Sequence, residues 1–175
     1  SADALLSLDI SAGTSGLIQL DQKTLDDIRA IPEVSEVSPV VNLPGQLSYN
    51  DTTGDMTIYA VDQSYFRLNG TTLHHGSQFS SENAQEIVVS SVATQLFNFD
   101  NPEDILGQKL DLSLFITKLT DEDVEEVEFI NREELYTVVG VVVDDTANYA
   151  YLLNNTLADL EIDQYDQAKV KVTNS

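Results

Sequence analysis

Leu110, Leu112, Leu114 and Ile116 take every second position of residues 109–116, and residues 135–143 form an almost unbroken apolar run built on five valines (Val138, Val139, Val141, Val142 and Val143). Period-two spacing puts one set of side chains on one face of a strand, and branched apolar runs favour strands. These segments predict an α+β fold rich in strands. At 175 residues and 42% hydrophobic content the chain suits one domain, or one domain with a small insertion, and it can fill a core.

Around these segments the pattern is mixed. Residues 4–10 read as a strand and 11–16 as a Gly/Ser/Thr loop. Residues 21–31 read as a short helix capped by Asp21 or Thr24, with Leu25, Ile28 and Ile31 at helical spacing and Pro32 ending it. Residues 34–41 make a second strand, so the chain opens as a split αβ unit. Residues 46–49 and 56–61 are expected to form a hairpin around a loop at 50–55. A polar and aromatic stretch follows at 62–70. Residues 87–90 then read as a short buried strand, 91–97 as a short helix and 101–108 as a turn punctuated by Pro102 and Gly107. No internal repeat is visible.

Thirty acids against eight bases give a formal charge of -22. That excludes a general nucleic-acid binder, which needs clustered Lys and Arg, and argues against docking on anionic lipid. Self-repulsion of this size also predicts that the isolated chain is monomeric. Without cysteine there is no disulfide framework, thiolate zinc site or thiol nucleophile. No apolar run approaches the ~18 residues that span a bilayer. The start at Ser1-Ala2-Asp3 and the stop on a strand at 169–175 read as those of an excised segment.

Several residues invite a chemical reading. Residues 121–134 hold eight acids and are expected to form a solvated hairpin; a divalent-cation site or a docking surface for a basic partner is the alternative. Asp144 and Asp145 with Thr146 read as a turn rather than a metal site. His74 and His75 are adjacent, so on a strand they point to opposite faces and do not readily share one metal. Ser90 and Ser91 would need a base in contact, for which only His74 and His75 are available, and no nucleophile elbow occurs. No cofactor, metal or catalytic residue is therefore assigned. The aromatic pairs Tyr65 with Phe66, and Tyr149 with Tyr151, are divided between core and an interaction surface. Asn50, Asn69 and Asn154 each begin an Asn-x-Thr triplet, to which no function is assigned.

An ordered set of short motifs carries a family likeness. Gly76-Ser77-Gln78-Phe79 precedes Glu86-Ile87-Val88-Val89-Ser90, then Ala93-Thr94-Gln95-Leu96-Phe97, Ile105-Leu106-Gly107-Gln108-Lys109-Leu110 and Tyr136-Thr137-Val138-Val139-Gly140-Val141. Upstream stand Ile31-Pro32-Glu33-Val34 and Ile58-Tyr59-Ala60-Val61-Asp62, followed by Tyr65-Phe66. Over residues 18–173 the chain resembles the extracytoplasmic domain of MacB-type ABC transporter permeases, within the wider FtsX-like permease family. The resemblance implies a Porter-like αβ lobe (1–70 and 151–175) with an inserted mostly-β, Sabre-like lobe (71–150). It implies a place outside the membrane, a second permease copy facing this one, and an ABC ATPase reached through transmembrane helices. An extracytoplasmic adaptor or a substrate is the further partner. No Walker motif occurs, so ATP chemistry would lie on another domain. Gly70 and Gly76 are the candidate hinge between the lobes, with 144–150 as the second crossing. The acidic stretch 121–134 departs from the family pattern, and the helix and strand that normally follow the strand matched at 168–172 are not in the sequence. The rival reading is a secreted or surface-attached acidic binding module, for instance one that takes Ca²⁺ through its acids.

Overall fold

A computed structural model describes residues 5–11 and 20–173. In chain order the elements are β1 (Leu5–Ser11), β2 (Leu20–Asp21), α1 (Gln22–Arg29), β3 (Val34–Tyr49), β4 (Thr52–Val61), α2 (Tyr65–Asn69), β5 (His75–Gly76), β6 (Glu86–Ser90), α3 (Ser91–Leu96), β7 (Lys109–Leu119), β8 (Glu125–Asn131), β9 (Tyr136–Val142), β10 (Tyr149–Leu153), β11 (Gln164–Tyr165) and β12 (Gln167–Thr173). Short 3-10 turns lie at Pro102–Ile105 and Asn154–Leu160. Residues 12–16 of the expected first loop lie outside the described residues, and Ser11 ends β1. The α+β class holds.

The cap of α1 is Asp21. Its carboxylate accepts hydrogen bonds from the Thr24 backbone N–H at 2.8 Å and the Thr24 hydroxyl at 2.9 Å, satisfying a donor that the helix leaves open. Leu25 is buried against Val37 and Ala168, with Ile28 packed beside them. The expected helix runs past the real one: α1 stops at Arg29, and Ile31 is exposed in the turn that follows.

The two expected strands at 34–41 and 46–49 are one strand of 16 residues, β3. Pro39 and Pro44 make the segment look broken, because proline cannot donate to a ladder. Each lies where β3 has a partner on one side only. Pro39 is opposite Ala168 of β12, before pairing with β4 begins at Val41. Pro44 is opposite Thr57 of β4, before pairing with β7 begins at Gly45. The hairpin loop is also shorter than expected. Asn50 and Asp51 both have positive φ, 49° and 67°, which closes a two-residue turn. The polar residues after it join the strands, through Ser48 with Thr53 at 2.7 Å and Gln46 to Asp55 at 2.8 Å.

The N-terminal half of β3 pairs antiparallel with β12, which pairs antiparallel with β1. Thus β1 and β3 run parallel with β12 between them, the split arrangement expected from the opening strand, helix and strand. The C-terminal half of β3 enters a second system. It pairs with β4, and the ladder continues through β10, β6, β9 and β7 back to β3. That circuit is a closed barrel. Leu47, Ile58, Ile87, Leu110, Leu112, Leu114, Tyr136 and Leu152 belong to its buried core. Closure brings β3 close to β7 at Gly45, where a Cβ would sit 2.7 Å from Ile58 and 2.9 Å from the Ser113 carbonyl oxygen. β8 lies outside this circuit, paired with the end of β7.

Gly76 is held in β5 opposite Gly140 of β9, at φ 77°. A Cβ there would lie 2.0 Å from the Val139 carbonyl oxygen. Gly70 ends α2 at φ 67°, and a Cβ added to it would meet no heavy atom within 4 Å. Gly76→Ala is therefore expected to cost roughly 3 kcal/mol or more in stability, and Gly70→Ala about 1 kcal/mol, from the left-handed backbone alone. Urea denaturation of the two variants checks the difference.

Candidate functional site

Between Val40, where β12 stops pairing, and Gly45, where β7 starts, β3 is open on one side. A cleft of about 730 Å³ lies along this opening. Leu43 and Pro44 are contributed by β3, Phe115, Ile116 and Leu119 by β7, and Leu160 and Ile162 by the segment before β11. Glu161, Asp163 and Asp166 also line it. Asp166 fastens the fork. Its carboxylate accepts from the Asn42 backbone N–H at 2.6 Å, and its own N–H donates to the Val40 carbonyl at 2.9 Å. The residues that make this cleft are far apart in sequence, and no motif singles them out.

An aromatic cluster lies where α2 packs on β4 and β10. Phe66 meets Phe79 at 5.6 Å and Tyr151 at 5.1 Å between ring centroids, and Tyr65 meets Tyr151 at 5.5 Å. Tyr59 stacks on Tyr151 at 5.3 Å and meets Tyr149 edge-on at 5.8 Å. Of the four rings named from sequence, Tyr65, Phe66 and Tyr151 are buried and Tyr149 is half-buried. Tyr59 and Phe79 join them without any sequence signal beyond being aromatic. Burial pushes the phenols of Tyr65, Tyr149 and Tyr151 above the usual range, and the Asp144 carboxylate at 2.9 Å raises Tyr149 further.

The hydroxyls and carboxylates around this cluster have structural roles. Asp62 accepts from Ser38 at 2.6 Å, from the Ser64 hydroxyl at 2.6 Å and from the Ser64 N–H at 3.1 Å, which ties the start of α2 to β3. Asp144 accepts from the Thr146 N–H at 2.9 Å and the Thr146 hydroxyl at 2.8 Å, so it forms the turn its sequence suggested. Those bonds hold its carboxyl below the usual range. Ser91 bridges the Asp144 backbone, donating to its carbonyl and accepting from its N–H, each at 2.9 Å. Ser90 accepts from the Tyr149 N–H at 3.2 Å. The serine pair thus fixes both ends of the segment 144–149. His74 Nδ1 accepts from the Val143 N–H at 3.3 Å, and His75 Nδ1 lies 4.0 Å from Glu103. Among the described residues no group of three or more His, Asp or Glu side chains converges as a metal set.

Three of the cations tie elements together. Arg132 grips Asp159 with both guanidinium nitrogens, at 2.6 and 2.9 Å, and donates to the Thr156 carbonyl at 3.1 Å. The grip lowers the Asp159 carboxyl below its ordinary range. Lys169, buried in β12, pairs with Asp9 of β1 at 2.5 Å, and Arg67 of α2 pairs with Glu36 of β3 at 2.7 Å. Sequence reasoning missed all three, since nothing in the spacing links these positions.

The described residues form a split αβ layer that shares the strand β3 with a closed barrel. The family model of the MacB-like periplasmic core domain matches residues 2–174, and the chain belongs to that family. It is accordingly a periplasmic or extracellular domain of a membrane transporter. No helix among the described residues is long and apolar enough to cross a membrane. A curated relative, the macrolide export ATP-binding/permease protein MacB 2 of Aeromonas hydrophila, is 28% identical over 90 residues, which span 51% of this chain and 13% of that protein. The periplasmic region of MacB from Actinobacillus actinomycetemcomitans superposes with a TM-score of 0.67 at 17% identity, covering 98% of this chain and 75% of the other. The extracellular domain of the noncanonic ABC-type transporter YknZ from Gram-positive bacteria gives 0.65 at 13% identity, covering 96% and 83%. At these identities the solved structures establish the fold.

The raised phenols set a pH dependence. The unfolded chain ionises tyrosine near pH ~10, whereas the folded chain resists it. Stability is full below that pH and is lost as pH rises through the elevated folded values. Alkaline titration followed by tyrosinate absorbance and circular dichroism is expected to show ionisation and unfolding together, above pH ~10. Tyr149→Phe with Tyr151→Phe weakens that coupling.

Proposed function

We propose that the domain couples ATP-driven movement of a MacB-like permease to a substrate or partner outside the membrane. The observation that supports this best is β3, one continuous strand that pairs with β12 in its first half and with the barrel in its second, with the open cleft at the change of partners. Any force entering near β1 and β12 reaches the barrel along this strand, and motion of the two parts would widen or narrow the cleft. In this reading the Porter-like lobe draws on residues 1–70 and 151–175 and the inserted lobe on 71–150, so the barrel is built from strands of both, β3 and β4 from the first and β6, β7 and β9 from the second. Gly70 and Gly76 mark the crossing, and their positive φ values supply backbone states that other residues adopt only with strain. Tyr149 with Tyr59 forms the half-buried rim at which an aromatic interaction surface could meet a partner. A second permease copy faces the domain, and the ATPase acts through the transmembrane part. The domain itself is non-catalytic. Family membership favours this over a free acidic, Ca²⁺-binding module.

The test uses the whole transporter, spin-labelled at Asp27 on α1 and at Lys109, an exposed residue where β7 pairs with β9 in the barrel. Double electron–electron resonance is expected to show a shift of roughly 2–5 Å between the nucleotide-free and the nucleotide-trapped states. Identical distance distributions in both states would sink the coupling reading.

A further inference from the structure

Past Leu114 the β7–β8 hairpin leaves the barrel. There Phe115 to Leu119 pair with β8, and among the described residues β8 has no strand on its outer side. The register sets Phe115 opposite Phe129, Thr117 opposite Val127 and Leu119 opposite Glu125 on one face. That face turns away from the core, because the alternating residues Leu114 and Ile116 are buried. Apart from Thr117 and Glu125 at its end, this face is apolar yet open to water: Leu119 is 70% exposed, Val127 66% and Phe129 54%. The Phe115 and Phe129 rings lie 5.1 Å apart. On the other face stand Glu126 and Glu128, with Lys118 reaching Glu128 at 3.0 Å.

Protein edges are commonly blunted by lysine, proline or a bulge. β8 has neither lysine nor proline, and its guard is acid: Glu125, Glu126 and Glu128 on the strand, with Asp121, Glu122 and Asp123 at the tip. A guard of one sign is selective. It repels another copy of a chain whose formal charge is -22, and it repels anionic lipid, but it attracts a basic strand. The ladder edge supplies main-chain hydrogen bonds, and the two faces read alternate side chains.

We propose that the β7–β8 hairpin docks an extended basic segment of another extracytoplasmic protein. The segment adds to the outer edge of β8, with apolar residues continuing the face of Phe129 and Val127, and Lys or Arg over Glu126 and Glu128. This rests on the reading of the domain as one that meets a partner outside the membrane.

The test is fluorescence anisotropy of the full chain with a labelled peptide of about nine residues alternating Lys and Val, followed by amide chemical shifts. The peptide is expected to bind and to shift the amides of β8, whereas a peptide alternating Glu and Val does not bind. Binding is expected to weaken at least about tenfold in Glu126→Lys/Glu128→Lys and in Phe129→Ser. It is expected to hold in Glu33→Lys/Glu82→Lys, which changes net charge equally at exposed sites elsewhere. All the changed side chains are exposed or at the solvent-facing hairpin, and thermal melts confirm folding. The proposal is overturned if the charge control weakens binding as much as the hairpin variant, or if Glu126→Lys/Glu128→Lys binds undiminished. It is overturned also if the chain ignores the peptide, including the case where it adheres to phosphatidylcholine vesicles through Phe129 instead. Peptide failure with a distance shift in the labelled transporter removes the docking strand alone; binding without that shift removes the coupling reading alone.

Discussion

A single strand with two sets of partners is the constraint on which this domain rests. β3 spends its first half beside β12 and its second between β4 and β7. A strand has only two edges, so the open stretch at residues 41–44 is forced by the change of partner. Pro39 and Pro44 are tolerated because each has a vacant side there. The cleft, the Asp166 fastening and the departure of the β7 arm all follow from that geometry. Gly45 permits the approach that closes the barrel, where a side chain would collide with Ile58 and the Ser113 carbonyl.

Around this strand, polar groups hold the elements in position. Asp21 caps α1, Asp62 starts α2, Asp144 shapes a turn, and Ser90 and Ser91 hold the segment entering β10. Buried and half-buried donors are thereby satisfied, which avoids the cost of leaving them unpaired. The aromatic cluster then fills the angle between α2 and the barrel with apolar area. The scarce cations Arg132, Lys169 and Arg67 link elements distant in sequence. The excess acid is left on the surface, where water screens it and where one hairpin combines it with an apolar face.

Much of the local structure was legible. Leu110, Leu112, Leu114 and Ile116 do share a buried face, residues 136–142 are a buried strand, and Asp21 does cap the first helix. The expectations that failed did so where tertiary contacts overrode local signals. Two prolines concealed one strand, Thr52 to Asp55 joined β4 because Ser48 and Gln46 zip against them, and Ile31 fell beyond the helix it seemed to continue. The helix α2 hid in a polar and aromatic stretch, since its five residues are too few to show a period.

The sequence by itself determined the α+β class, the alternation of the barrel strands, the acid excess and, through its ordered motifs, the family. Those depend on local period, on composition and on the order of residues along the chain. Only the tertiary structure decided that β3 is shared, that the ladder closes from β7 back to β3, and that Leu43, Phe115 and Ile162 face one cleft. It also decided that Arg132 finds Asp159 and that Lys169 finds Asp9. The reason is physical: pairing partners are chosen by register and burial summed over many distant residues, and no short window of sequence contains that sum.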